Sequence, residues 1–145
     1  MICIENIDDI MKIPGVDPEF FIQSIPILIS KENKVCGDVT VIFCSDNYLL
    51  EMNQKYLKHD YFTDVITFDY TDNQIVSGDL FVSVDRVLDN ANSLHVEAKD
   101  ELVRVVYHGV LHLVGFKDKT EEEKALMTAK ENEYLYNFVS RETKG

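Results

Sequence analysis

The chain has 145 residues, 46% of them hydrophobic, and a formal net charge of −12 at pH 7. That size and apolar content suit one domain with a core of its own, and no apolar run approaches the roughly 20 residues of a membrane span. The acidic balance excludes RNA held by general electrostatics, so any nucleic acid must be engaged at a focused, salt-sensitive site.

Residues 2–4 read as a short first strand. Asp17 and Pro18 open a helix as an N-cap followed by proline in the first turn, running to about residue 30. Pro26 sits badly inside it and predicts a kink or an early end. Residues 39–44 alternate and are rich in β-branched side chains, hence a strand. Ser45 caps a helix to about residue 56, with Leu49, Leu50 and Met52 turned inward. A polar loop over 58–63 precedes a second clear strand at 64–70, and Gly78-Asp79 opens a third over 80–84. A helix at about 85–94 follows, then a longer one at about 97–114. Thr120 and Glu123 form a capping box for a last amphipathic helix, placing Leu126, Ala129, Leu135 and Val139 toward the core. Strands interleaved with helices predict an α/β or α+β fold around one small sheet, a single domain over 1–145.

Cys3, Cys36 and Cys44 are odd in number and lack C-x-x-C spacing, which suits free thiols in a reducing cytosol. With nothing resembling a signal peptide, the expected location is cytoplasmic, with no membrane partner. Much of the acid is concentrated in segments that could sit away from a binding face, Glu121, Glu122 and Glu123, then Glu131 and Glu133. Lys55, Lys58, Arg86, Lys99 and Arg104 are the material for a local basic patch.

Chemistry concentrates in His108-Gly-Val-Leu-His112-Leu-Val-Gly115-Phe-Lys-Asp118. Histidines four apart project from one helix face, so their imidazoles can converge on one ion. Gly115 ends the helix, because glycine enters the left-handed conformation without steric cost, and the chain returns Asp118 as a third ligand. Two neutral imidazoles, one carboxylate and an open position describe a catalytic zinc site, a single Zn²⁺ with another divalent ion as the alternative. Ligands at the first, fifth and eleventh places with glycine at the eighth match the metalloprotease spacing. Gly109, however, stands where a protease carries its general-base glutamate. Elsewhere the plainer assignments are expected: His59 and His95 face solvent or hydrogen-bond locally, Asp64 and Asp79 cap turns or support the site, and Phe43, Phe68 and Phe81 are core.

The run from Tyr107 to Phe116 resembles the signature of the YbeY family of single-strand endoribonucleases. Met52-Asn53 with Tyr56, Thr63 to Phe68, Gly78-Asp79-Leu80, Val82 to Arg86, and Met127, Glu131 and Leu135 match in order. The resemblance implies a mixed four-stranded sheet flanked by about five helices and a divalent metal. It further implies single-stranded RNA as substrate, with 16S rRNA maturation and ribosome quality control on the small ribosomal subunit and its proteins as the setting. Two positions depart from that pattern. Asp118 stands where the family usually has a third histidine, which predicts a weaker Lewis acid and more tolerance of Mn²⁺. Leu57 stands where the family commonly has an arginine that assists catalysis, leaving Arg104, one turn before His108, and Arg86 as candidate catalytic cations. Two other functions compete: a non-catalytic ribosome-assembly factor with a structural metal, and a zinc protease.

Overall fold

The computed structural model describes residues 1–6, 9, 12–57 and 63–139. Four strands, β1 (Ile2–Glu5), β2 (Val35–Cys44), β3 (Val65–Asp69) and β4 (Ile75–Ser83), form one mixed sheet in the order β1-β2-β4-β3. β2 runs parallel to β1 and β4, while β3 closes the edge antiparallel to β4, with Val41 opposite Leu80 and Ile66 opposite Phe81. Among the described residues there are five α-helices: α1 (Pro18–Lys31), α2 (Asp46–Leu57), α3 (Val84–Leu94), α4 (Ala98–Val114) and α5 (Glu121–Tyr134), the last running into a π-helical turn, Leu135–Val139. The predicted α+β class and sheet are both present. No helix among the described residues is long and apolar enough to cross a membrane.

The period-2 alternation of the strands divides the core. Val39, Val41, Phe43, Val76, Leu80 and Val82 point to one face, where α1 and α4 cover them. A smaller cluster on the other face joins Cys44, Leu49, Met52 and Ile66, with Phe68 and Phe81 packed against it. Phe43 is fully buried and the other two rings are half-buried, so all three are core side chains as expected. Leu50, expected inward, is half-buried.

Two expectations are corrected. α1 runs to Lys31, close to the expected end near residue 30, and the early end expected as one outcome at Pro26 does not occur. The apolar face of Phe21, Ile25, Leu28 and Ile29 brackets the proline on both sides. Burying four such side chains, at about 1.5–3 kcal/mol each, outweighs the roughly 3 kcal/mol cost of an interior proline. In α5 the inward face is Met127, Glu131 and Tyr134, not Leu126 and Ala129, which are exposed. Leu135 does pack on the core, and the side chain of Val139 lies outside the described residues. Polar contacts turn the helix this way: Tyr134 Oη donates to Glu32 Oε2, and Lys130 Nζ lies 3.0 Å from the same oxygen. The capping box at Thr120 and Glu123 is formed.

Candidate metal centre

α4 carries both histidines, and its packing sets where they point. Gly109 faces the sheet, where a Cβ would stand 3.0 Å from Leu80 Cδ2 and 3.4 Å from Thr67 Cγ2. Gly109 lets this part of α4 lie close to the sheet, and the neighbouring His108 and His112 are both half-buried. The helix ends in a Schellman arrangement. The Gly115 N–H donates to His112 O at 3.1 Å, the Phe116 N–H donates to Leu111 O at 3.0 Å, and Gly115 has φ 125°. The reversal sends the chain back along its own last turn and delivers Asp118 beside the two rings.

The predicted ligands converge. His108 Nε2 and His112 Nε2 are 3.0 Å apart, and Asp118 Oδ2 is 3.1 Å from the first and 3.2 Å from the second. An ion with metal–ligand bonds of 2.0–2.1 Å in tetrahedral geometry needs its ligand atoms about 3.3 Å apart. The side chains are 25%, 26% and 37% exposed, so one side of the group is open to solvent.

The far nitrogens of both rings are also engaged. His112 Nδ1 lies 3.0 Å from the carbonyl oxygen of Phe116, which can only accept, so Nδ1 is the donor to it and Nε2 is the nitrogen turned toward His108 and Asp118. His108 Nδ1 lies 2.6 Å from Glu131 Oε2, and the other oxygen of that carboxylate accepts from Arg104 Nη1 at 2.9 Å. Rings pinned through Nδ1 with Nε2 free are the arrangement that metal-binding imidazoles need, so the donor set fits a divalent ion such as zinc. Burial works against the imidazolium of His108. The Glu131 hydrogen bond and charge, with Asp118 and Asp64 behind them, outweigh it and raise this ring above its ordinary value.

Beside the ligands a cleft of about 110 Å³ is lined by Asp64, Glu101, Arg104, Val105, His108 and Glu131. Burial raises the carboxyls of Asp64 and Glu101 above their ordinary range. Asp64 accepts from Asn90 Nδ2 at 3.4 Å and takes the Ser83 N–H on its main-chain carbonyl.

The candidate cations are in ion pairs. Arg104 forks onto Glu131 and, at 2.7 Å, Asn132 Oδ1. Arg86 bonds Asp46 at 2.6 Å and Asp89 at 2.9 Å. Of the other cations considered for a basic patch, Lys99 lies in the first turn of α4, Lys55 lies on α2 across the sheet, and Lys58 is outside the described residues. His59 is also outside them, whereas His95 is exposed at the end of α3. Leu57 closes α2 and is 40% exposed.

Glu131 is the residue that sequence reasoning misplaced. Far from lying away from the site, it is 7% exposed and touches a ligand. The available signal was its position four residues after Met127 and three before Tyr134, on the helix's buried stripe.

The family model for the endoribonuclease YbeY matches residues 10–139. The chain is 48% identical over 118 residues to the endoribonuclease YbeY of Flavobacterium psychrophilum, covering 81% of this chain and 84% of that one. It is 46% identical over 135 residues to that of Porphyromonas gingivalis strain W83, covering 93% and 88%. The solution structure of TM1509 from Thermotoga maritima superimposes with a TM-score of 0.69 at 25% identity, covering 99% of this chain and 93% of that one.

Proposed function

The chain belongs to the YbeY family of endoribonucleases, and from that membership we propose that it is a zinc-dependent, single-strand-specific endoribonuclease acting in 16S rRNA maturation and ribosome quality control. The reading treats residues 1–145 as one catalytic domain. It takes single-stranded RNA on the small ribosomal subunit as substrate and the cytoplasm as the place of work. The observation that carries it is the convergence of His108 Nε2, His112 Nε2 and Asp118 Oδ2 within 3.0–3.2 Å, open to solvent on one side.

His108, His112 and Asp118 would hold the ion. The chemistry a divalent ion supplies when bound there is polarisation of a phosphate oxygen and a lowered pKa for a water molecule. The protein's own part is to hold the Nδ1 side of each ring, on the Phe116 carbonyl and on Glu131, so that both Nε2 atoms are aimed at the ion, and to bury the back of the site against the sheet. Four carboxylates, those of Asp64, Glu101, Asp118 and Glu131, surround the place where a phosphodiester must come. Their charge opposes an RNA backbone, so binding relies on the ion and on local cations. Arg86 is the candidate guanidinium group for that task; Arg104, the other candidate, is committed to Glu131 and Asn132.

The protease reading loses support at Gly109. The position that would carry the general base faces Leu80 and Thr67, where a β-carbon alone would already crowd the Leu80 side chain at 3.0 Å. Metal content and cleavage of single-stranded RNA, measured on wild type and His112→Ala, test the proposal. Full-rate cleavage by metal-free His112→Ala protein would overturn it. A protein that loses thermal stability with its metal but never cleaves RNA would be the assembly factor instead.

A further inference from the structure

The two imidazoles of the candidate centre are pinned by different kinds of group. His112 is held by a backbone carbonyl that the helix stop fixes in place. His108 is held by a side chain, Glu131, brought from 23 residues away on another helix. That carboxylate is 7% exposed, and both its oxygens are used, one by His108 Nδ1 and one by Arg104 Nη1. Arg104 in turn spreads its fork over two consecutive residues of α5, Glu131 and Asn132. A planar guanidinium bonded at two points holds a carboxylate in one orientation, which a lysine with its single rotating ammonium does not do.

We propose that Glu131 is a positioning residue for the metal centre and that Arg104 acts through it, so that the chain Arg104–Glu131–His108 sets metal affinity rather than contacting RNA. The inference rests on the metal-site reading above and deepens it. Glu131 aims His108 Nε2 at the point where His112 and Asp118 meet and makes the imidazole a better donor. Arg104 keeps Glu131 from turning away or pairing elsewhere. Partners of metal-ligating histidines that play this part alter affinity by about 10–100-fold when removed. An arginine that gripped the phosphodiester would leave metal affinity untouched and lower RNA cleavage even at saturating metal.

The test is zinc affinity, measured by chelator competition on the full chain for wild type, Glu131→Gln, Arg104→Lys and His112→Ala. Glu131→Gln should weaken zinc binding by about 10–100-fold. Arg104→Lys should weaken it by a smaller factor and recover wild-type RNA cleavage once zinc is raised to saturation. Nitrogen-15 shifts of the zinc-loaded wild type should show His108 protonated at Nδ1 and coordinating through Nε2, a readout that does not depend on any variant folding. If His112→Ala loses zinc while Glu131→Gln binds it as tightly as wild type, the positioning role is overturned and the metal site stands. If Arg104→Lys keeps full zinc affinity but stays slow at saturating zinc, Arg104 is a substrate contact and its part in the proposal is overturned. If His112→Ala binds zinc like wild type, the metal-site reading itself fails, and this inference with it.

Discussion

Gly109 and Leu80 meet so closely that a β-carbon on the glycine would stand 3.0 Å from Leu80 Cδ2, a side chain with no solvent exposure. Glutamate at this position would complete the metalloprotease pattern on paper, but its carboxylate would enter the sheet–helix interface. Gly109→Glu should therefore give no casein hydrolysis. It should lose at least about 1–3 kcal/mol by overpacking alone, with the cost of a buried charge added. Urea denaturation and a casein assay check both outcomes. A stable, proteolytic Gly109→Glu enzyme would show that the orientation of α4 is wrong.

Metal removal should destabilise the fold by mass action, because three separate positions share one ion only when α4 and the turn after it are in place. At zinc a hundredfold above its Kd the gain is about 2.7 kcal/mol, or roughly 5–11 °C in Tm for a chain of this size. Differential scanning calorimetry with and without chelator measures it. An unchanged Tm in a protein shown to have bound zinc would mean that the ion sits elsewhere.

Asp118 is the carboxylate of the triad, and a hard oxygen donor favours harder ions than imidazole does. Asp118→His should raise the preference for Zn²⁺ over Mn²⁺, read as the ratio of the two dissociation constants. Asp118→Ala should weaken both ions. Equal ratios in wild type and Asp118→His would remove Asp118 from the ligand set.

Burial pushes the Asp64 carboxyl up, Glu131 adds to the rise, and His108 with two backbone amides opposes it. A carboxyl whose folded-state value lies above its unfolded one contributes stability fully below the unfolded value and loses it as pH rises through the folded one. In metal-free protein Asp64→Asn should therefore melt a few degrees above wild type at pH 7. The difference should close as the pH falls to about 4, the ordinary carboxyl range. A difference that does not vary with pH would contradict the buried-charge account.

Burial against the sheet pushes the Cys44 thiol up to about 12, and the side chain is 4% exposed. Cys3 is exposed on the edge strand. Thiol reagents at pH 7.5 should label Cys3 in the native protein and reach Cys44 only after unfolding, since the thiolate is the reacting form. Mass spectrometry of a timed alkylation series decides it.

Much of this architecture was legible because it depends on local rules. Asp17, Ser45 and Thr120 cap helices wherever they stand before an apolar periodicity, and each does so here. Histidines at i and i+4 with glycine at the helix stop define the ligand geometry within eleven residues. Long-range polar contacts were not legible in that way. Hydrophobic periodicity assigns glutamate to the outside of α5, yet Glu131 faces inward because Arg104 and His108, from another helix, satisfy it. The same rule turned the prediction for α5 toward Leu126, when the anchoring group is Tyr134 on Glu32. Pro26 misled for the opposite reason, since a local penalty was overruled by burial along the whole face of α1.

The tether on His112 is made of main chain, and this shapes what mutagenesis can detect. Alanine scanning would pass over Phe116 as a ring that packs beneath Lys130, because every amino acid at that position carries the same carbonyl. One ligand of the centre is thereby insulated from single-codon change at its own support. Its vulnerability is transferred to Gly115, where any β-carbon must tolerate a φ of 125°. Replacing that one glycine should loosen the grip on the ion without touching any atom that binds it.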